Sequence, residues 1–447
     1  MLNLFENYSQ ESWDLHYSMA SSGFNHPTVV LNDDGFLPRD VTSPIQYYTG
    51  FTRQTGKPLY FNELPIPDYW EIKSTPQEAS VWELDQKRAN IYFVEGNSYR
   101  QIKEVEWLNR EGKVFSKDYY NSSGFRFAQS RIDTQNNQKQ STSYFSKDNR
   151  EVLVENHITD DIILNNKDGV FFFASKTEFI LHYLKDAGFN TDRIFYNSLG
   201  FPFLVVYQLD GPGNDILFWQ EEIQDQLPGN MRVLLDGFAR SQKVVVQNKN
   251  VFEKINTLCT VEQSLKVEFA GYKFPFKREN SGKLSALIMT NSDQLKNIEA
   301  LISQHPNIMF HIGALTEMSS HLLAIARFEN VKLFPNISNA VVEKLFRECD
   351  IYMDINFGNE ILSATREAFL NNMLVLSFED TLHNSRYVAQ PHIFKRDDIQ
   401  GMHQLLSELE RSPQKITSSV QLQKDVLCVE DIQTYKNIVG DISNEEK

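Results

Sequence analysis

The stretch from residue 349 to residue 380 constrains the fold of this chain more than any other. It begins with an apolar run, which breaks at Asn356-Phe357-Gly358-Asn359, and continues with apolar side chains at helical spacing. It ends with the nearly continuous apolar run 373–378, which is typical of a strand buried on both faces of a parallel sheet. The pattern predicts a β-loop-α-β unit. Because ligands lie at the carboxyl ends of strands in such units, the loop is where a site is expected.

Composition narrows the class of protein. The 447 residues, 41% hydrophobic and 23% charged, suffice for two large or three smaller globular domains. A net charge of -15 argues against nucleic-acid binding. The scattered Cys259, Cys349 and Cys428 favour a reducing cytoplasm over a disulfide framework. The N-terminal sequence does not resemble a signal peptide, and the chain has no apolar run of about 18 residues, so no membrane span is predicted.

The order of predicted elements divides the chain into three parts. Residues 1–43 and 174–273 have an α/β pattern, interrupted at 44–173 by short β-branched and aromatic runs at roughly 10-residue spacing, among them the predicted strands 102–108 and 114–120. Turn signals such as Glu95-Gly96-Asn97 separate these runs and indicate an antiparallel meander. A basic, non-periodic segment at 274–283 precedes a second regular α/β series at 284–447. The predicted fold class is α/β, with two doubly wound Rossmann-like domains and a β-meander inserted in the first.

The individual elements follow from the same patterns. In the first α/β region we predict strands 2–5, 28–31, 203–207, 215–219, 244–247 and 267–269, and helices 9–21, 177–187 and 228–239. In the second we predict strands 286–290, 308–312, 331–334, 351–355 and 373–378, and helices 295–304, 317–327, 338–348, 360–370, 399–409 and 431–441.

Three polar side chains near these strand ends are candidates for a site. Glu360 and Glu367 are seven positions apart in a predicted helix, so they should project from one face, beginning just after the loop. His311 is predicted at a strand end, followed by a glycine loop, where it would either touch a ligand or serve as a structural histidine. Because fold alone does not give function, these positions do not identify a reaction.

The element order and motifs resemble the retaining glycosyltransferases of the GT-B fold. With the inserted meander, the chain is similar to the paired glycosyltransferases GtfA and GtfB of the bacterial accessory Sec system, and especially to the GtfB family. The resemblance is carried by LFENYSQESWDLHYSMASSGFNHPTVVLNDDGFLP near the start, and by DIYMDINFGNE, TREAF and His383-Asn384. It covers essentially the whole chain.

Three donor-site features that the resemblance implies for active members are altered here. The glycine-rich turn after the first strand is replaced by Glu6-Asn7-Tyr8-Ser9, whose carboxylate would repel a diphosphate. Of the paired Arg and Lys that neutralise the leaving diphosphate, the matching positions carry Asn291 and Lys296. Of two glutamates seven positions apart, Glu367 is present but the first position is Asn359, with Glu360 one step away.

These departures imply a non-catalytic subunit without a cofactor, a metal or catalytic residues. The candidates for acceptor binding, or for a vestigial donor site, are His311, Asn356, Glu360, Glu367 and Lys296. The resemblance implies that the chain holds a Ser/Thr-rich acceptor polypeptide in its interdomain cleft and stabilises a catalytic GtfA subunit. GtfA would add the first GlcNAc from UDP-GlcNAc to serine-rich repeat adhesins before export.

The resemblance also implies that the meander contributes to the partner interface, that the complex is a heterotetramer, and that it associates peripherally with the inner face of the cell membrane. Two alternatives stay open. The surviving Lys296, Glu360 and Glu367 could hold a nucleotide sugar in an active retaining glycosyltransferase. The chain could also be a lectin-like module that binds glycosylated peptide.

Overall fold

The computed structural model describes residues 1–53, 56–75, 78–94 and 100–440. The chain divides into two compact units, Met1–Ala270 and Gly271–Lys447. The predicted turn Glu95-Gly96-Asn97 and the end of the predicted helix at Asp441 lie outside the described residues.

The strands are numbered in chain order. They are β1 Leu2–Phe5, β2 Thr28–Val30, β3 Val41–Thr42, β4 Trp70–Ser74, β5 Ala79–Glu83, β6 Gln86–Phe93, β7 Ile102–Leu108, β8 Val114–Tyr120, β9 Arg126–Ile132, β10 Lys139–Phe145, β11 Glu151–Asn156, β12 Ile162–Asn166, β13 Gly169–Phe173, β14 Ile194–Tyr196, β15 Asp215–Trp219, β16 Ser241–Val246, β17 Val267–Phe269, β18 Ser285–Thr290, β19 Met309–Ala314, β20 Val331–Phe334, β21 Ile351–Asp354, β22 Leu374–Phe378 and β23 Ile393–Phe394.

The α-helices are numbered in the same way. They are α1 Gln10–Ser21, α2 Pro44–Thr49, α3 Lys176–Asp186, α4 Phe201–Gln208, α5 Gly229–Leu235, α6 Lys249–Leu258, α7 Val261–Ser264, α8 Ile298–Gln304, α9 Ser320–Leu323, α10 Asn339–Glu348, α11 Ala364–Leu370, α12 Ile399–Arg411, α13 Gln414–Val426 and α14 Ile432–Val439.

The first unit contains two sheets. One is parallel throughout, in the order β17-β16-β15-β14-β1-β2-β3 among the described residues. Its central strands β1, β2, β14 and β15 are buried along their length, because helices cover a parallel sheet on both faces. The chain runs from β1 through β2 to one edge and returns to β14 on the other side of β1, so the strand order reverses between β1 and β14. Such a reversal leaves a crevice at the carboxyl ends of the strands.

The second sheet of this unit is the predicted meander. In the described ranges it is an antiparallel sheet in strict sequence order from β4 to β13. Strands β7 and β8 have the predicted bounds, since alternating apolar residues and turn residues specify both their pattern and their ends.

The second unit is built on a parallel sheet in the order β20-β19-β18-β21-β22-β23, with the reversal between β18 and β21. Separate apolar clusters cover its two faces, as a doubly wound sheet requires. The non-periodic segment 274–283 is anchored within this unit, because Arg278 Nη1 lies 2.5 Å from the buried carboxylate of Asp350. None of the helices in the described ranges has the length and apolar character needed to cross a bilayer.

Several predicted elements differ from the structure. The apolar run 203–207 was predicted as a strand but lies within α4, which begins after Gly200 with Pro202 in its first turn. Proline at this position favours the start of a helix, whereas the β-branched residues that follow it favour a strand, so the local sequence indicates both. The predicted helix 317–327 is reduced to α9 followed by the 3-10 turn Ala324–Arg327. Strand β14 and helices α6 and α13 were not predicted.

Two corrections affect candidate residues. The prediction that Glu360 lies on the helix is wrong, because α11 begins only at Ala364. Leu362 and Ser363 have φ values of 55° and 48°, and this left-handed backbone cannot continue into a right-handed helix. The prediction that a strand ends at His311 is also wrong, since β19 runs from Met309 to Ala314 and His311 lies inside it.

Candidate functional site

The loop after β21 lies at the reversal of the second sheet and is organised by the buried side chain of Asn356. Its Oδ1 accepts hydrogen bonds from Thr290 Oγ1 at 2.9 Å and from the Gly358 amide at 3.0 Å. Its Nδ2 donates to Asn291 Oδ1 at 3.2 Å and to the Asn359 carbonyl at 3.3 Å. All four hydrogen-bonding positions of the carboxamide are therefore used within the chain, and Asn356 fixes the loop shape.

His383 holds the same loop from the other side. Its Nδ1 lies 2.5 Å from Asp354 Oδ1 and its Nε2 lies 2.6 Å from the Gly358 carbonyl oxygen. The hydrogen bond with Asp354 is the largest cause that raises the pKa of His383 to about 9. The imidazolium is thus the dominant form at neutral pH, and both ring nitrogens donate. The sequence indicated His383 only through the family resemblance, because its partners are distant along the chain.

Lys296 is the cation predicted to face a donor diphosphate. Its Nζ lies 2.5 and 2.6 Å from the two carboxylate oxygens of Asp380. The side chain is 10% exposed and its Nζ lies 4.8 Å from the centre of the Phe378 ring. Its main-chain amide donates to the Ile355 carbonyl, which places it beside the Asn356 loop. The lysine charge that would attract a phosphate is already paired with a carboxylate of the same unit, which Arg396 Nε also approaches to 3.4 Å.

Glu360 and Glu367 do not project from one helix face, as their spacing predicted, and they contact different parts of the unit. Glu360 Oε1 accepts a hydrogen bond from the Thr365 amide at 2.8 Å, so the carboxylate caps the first turn of α11 from the loop. Glu367 lies within α11 and its Oε2 is 2.5 Å from Lys277 Nζ. Glu360 therefore belongs with the loop, whereas Glu367 pairs with the segment that precedes β18.

His311 lies inside β19 of the second sheet. Its Nδ1 lies 3.4 Å from Ser285 Oγ and 3.6 Å from Cys349 Sγ, and its ring stacks on Phe334. Burial lowers the pKa of His311, so the neutral ring is favoured. Of the five candidate residues, the structure brings Asn356, Lys296 and Glu360 to one loop and leaves His311 and Glu367 with other partners.

A second candidate site lies in the first unit, where the predicted glycine-free turn follows β1. A cavity of about 1100 Å³ opens at the carboxyl ends of β1, β14 and β15, at the reversal of the first sheet. Glu6 lies in it and accepts a hydrogen bond from Ser198 Oγ. A Cβ added at Gly200 would lie only 2.5 Å from Glu6 Oε2, so glycine lets the chain approach this carboxylate. We call this space the acidic cavity.

The chemistry of both sites disfavours a nucleotide diphosphate. Among the described residues that line the acidic cavity there is no Lys, Arg or His. In the part of the chain that the structure describes, no group of three or more His, Cys, Asp or Glu side chains is arranged to hold a metal ion. A phosphate would therefore meet carboxylates at one site and an already paired lysine at the other.

Comparison with known proteins covers the chain in consecutive segments. Family models match at 2–48 (GtfB N-terminal domain), 70–174 (GtfB middle domain), 176–258 (GtfB third domain) and 286–423 (GftB/GlyA-F C-terminal domain).

Full-length relatives agree with these matches. A protein of Streptococcus agalactiae, named UDP-N-acetylglucosamine--peptide N-acetylglucosaminyltransferase stabilizing protein GtfB, is 41% identical over 99% of this chain and 100% of its own length. A protein of the same name from Limosilactobacillus reuteri is 40% identical, with 100% of both chains covered. A chain of the structure "Crystal structure of GtfA/B complex bound to UDP and GlcNAc" superimposes with a TM-score of 0.92 at 38% identity, covering 98% of this chain and 99% of that one.

Proposed function

This chain belongs to the GtfB family, and from that premise we propose that it is a non-catalytic subunit that stabilises a peptide N-acetylglucosaminyltransferase and holds its acceptor polypeptide. The relatives are named for stabilising such a transferase, which adds GlcNAc to a peptide from UDP-GlcNAc. The observation that carries the non-catalytic role is the pairing of Lys296 with Asp380. It engages, within the chain, the lysine ammonium on which a nucleotide-sugar site of this kind depends.

A catalytic partner of the GtfA type is supported by an exposed apolar surface on the meander. Val154, Ile163 and Phe172 are register neighbours on β11, β12 and β13. Phe172 is 67% exposed, and Val170, two residues before it on β13, is 71% exposed. We call these four residues the apolar ladder. The alternate residues Phe171 and Phe173 pack on α3, so the ladder is the face of this edge that the unit leaves uncovered.

The acceptor we propose is a Ser/Thr-rich polypeptide of a serine-rich repeat adhesin, glycosylated before export. The roles of Lys296, Glu360 and Glu367 as remnants of a donor site, and of His311 and Asn356 near the acceptor, stay predictions. We further propose a cytoplasmic complex at the inner face of the membrane; three cysteines scattered along the sequence fit that compartment. Cell fractionation with and without a salt wash tests this placement, since a peripheral protein leaves the membrane pellet when salt is raised.

A sugar-transfer assay tests the central proposal. Radiolabelled UDP-GlcNAc and a Ser/Thr-rich peptide are incubated with this chain alone, with a GtfA-type partner alone, and with both. We expect no transfer by this chain alone and a higher, longer-lasting rate from the mixture than from the partner alone. Turnover by the isolated chain would show instead that it is an active retaining glycosyltransferase.

Binding measurements separate the remaining alternatives. Calorimetry of the isolated chain with UDP and UDP-GlcNAc should give no binding in the micromolar range, because the paired lysine offers no free cation. A bare acceptor peptide should bind as tightly as the same peptide carrying GlcNAc. Much tighter binding of the peptide that carries GlcNAc would identify a lectin-like module.

A further inference from the structure

The acidic cavity has the position of a binding site in an α/β sheet. Its walls come from the loops that follow β1, β14 and β15, which are adjacent strands on both sides of the reversal in strand order. The floor is held by a hydrogen-bond network: Asn197 Nδ2 donates to Ser12 Oγ at 2.9 Å and to Gln220 Oε1 at 3.2 Å. Such a network keeps the loops in place before a ligand arrives.

Charge decides which ligands suit this cavity. Five carboxylate residues line it, namely Glu6, Glu11, Glu221, Glu222 and Asp225. Asp225 lies 3.4 Å from Lys254, whereas Glu6 and Glu221 form no ion pair among the described residues. Glu221 is exposed by area, but partial desolvation of its carboxylate raises its pKa, and the neighbouring charge of Glu6 raises it further against a lowering hydrogen bond from Ser198. A cation placed between these carboxylates would relieve their repulsion.

Trp219 provides an independent indication that a ligand belongs here. Trp219 is 3% exposed and is one of the residues that line the cavity at the end of β15. Its indole N–H has no hydrogen-bond partner within the described part of the chain. Because a buried donor without an acceptor costs free energy, a ligand oxygen such as a peptide carbonyl would satisfy it.

We propose that the acidic cavity binds a positively charged side chain of the acceptor polypeptide, with Glu6 and Glu221 contacting the cation. This inference rests on the proposed acceptor-binding function and adds a chemical class to it. Serine and threonine residues on either side of the cation can donate hydrogen bonds from their hydroxyl groups to the remaining carboxylates and carboxamides. The cavity would thus select acceptor segments in which a lysine or arginine interrupts the hydroxyl-rich sequence.

The test compares two fluorescent Ser/Thr-rich peptides that differ only by a central lysine or its uncharged isostere norleucine. Fluorescence anisotropy with the full chain should show that the lysine peptide binds about five- to tenfold more tightly, and that the preference shrinks as salt is raised. In each of the single variants Glu6→Gln and Glu221→Gln, the Kd values of the lysine and norleucine peptides should differ by no more than about twofold. Glu253→Gln, an exposed carboxylate on α6 outside the cavity, has the same change in net charge and should keep the preference.

The outcomes separate this inference from the function on which it rests. Equal binding of both peptides by the unaltered chain would overturn the inference and leave acceptor binding intact. A lysine preference that persists in both cavity variants would place the cation elsewhere and also overturn it. If neither peptide binds, the proposed function fails and the inference fails with it. Thermal unfolding of each variant controls for misfolding, and the exposed Glu221 provides a substitution that the fold should tolerate.

Discussion

Lys296 and Asp380 form a bidentate contact, with Nζ 2.5 and 2.6 Å from the two carboxylate oxygens, at the carboxyl end of the second sheet. In a site for a nucleotide diphosphate, a cation at this edge would have to be available to the ligand. Here it is paired within the unit and 10% exposed. The pair therefore contributes to the fold of the loop region, and we expect it to behave as a structural element.

The first prediction concerns this pair. Lys296→Ala and Asp380→Ala should each lower the free energy of unfolding by about 1–3 kcal/mol. Asp380→Ala leaves the 10% exposed Lys296 without its carboxylate, and Lys296→Ala leaves Asp380 with only the exposed Arg396, whose Nε lies 3.4 Å from Oδ2. The double variant should lose less than the sum of the two. Urea unfolding measures all three. The exposed pair Arg327 and Glu299 is the control, and its coupling should stay below about 1 kcal/mol. Equal coupling in both pairs would contradict a structural role for Lys296.

The second prediction is a pH dependence of stability that comes from His383. Its folded pKa of about 9 lies above the unfolded value near 6.5, so its contribution is complete below about pH 6.5 and is lost as pH rises to about 9. His383→Gln should be less stable at pH 6 and should have a flatter profile between pH 6.5 and 9. Urea unfolding at several pH values measures the slope. If His383→Gln has the same slope of unfolding free energy against pH as the unaltered chain, the pH dependence comes from other groups.

The third prediction tests how tightly the Asn356 loop is packed. A Cβ at Gly358 would collide with Asn291 Oδ1, an atom that Asn356 already holds by a hydrogen bond. Gly358→Ala should therefore lower the unfolding free energy by about 1–3 kcal/mol. At Gly229 an added Cβ would meet nothing within 4 Å. Gly229→Ala is therefore the control and should change the unfolding free energy by less than about 0.5 kcal/mol. If urea unfolding shows the same change for both variants, the loop rearranges to accept the added methyl group, and the tight packing inferred here is wrong.

The fourth prediction concerns the apolar ladder. Phe172→Ser should leave the chain folded, since the side chain is exposed, but should weaken assembly with a GtfA-type partner about tenfold or more. Co-elution and stimulation of sugar transfer are the measurements. Leu265→Ser, at a residue that is 85% exposed outside the meander, is the control and should assemble normally. Normal assembly of Phe172→Ser would remove the ladder from the proposed interface.

Local sequence patterns were sufficient for much of the fold. The apolar alternation of 102–108 and 114–120 predicted β7 and β8 with their observed bounds. The regular strand and helix order of the second half predicted a doubly wound sheet, which is confirmed. The run at 203–207 was predicted incorrectly because β-branched composition and the helix-start signal of Pro202 conflict within a few residues. The left-handed backbone at Leu362 and Ser363, which shortened α11, has no glycine to signal it.

The sequence by itself determined the family, the alternation of elements and the absence of a glycine-rich turn after the first strand, because these are properties of neighbouring residues. Only the tertiary structure decided which charges pair. Lys296 meets Asp380 across 84 positions, His383 meets Asp354 across 29, and Asn356 meets Thr290 across 66. Periodicity within a segment does not specify such contacts, since they form only where packing brings separate strand ends to one edge of a sheet.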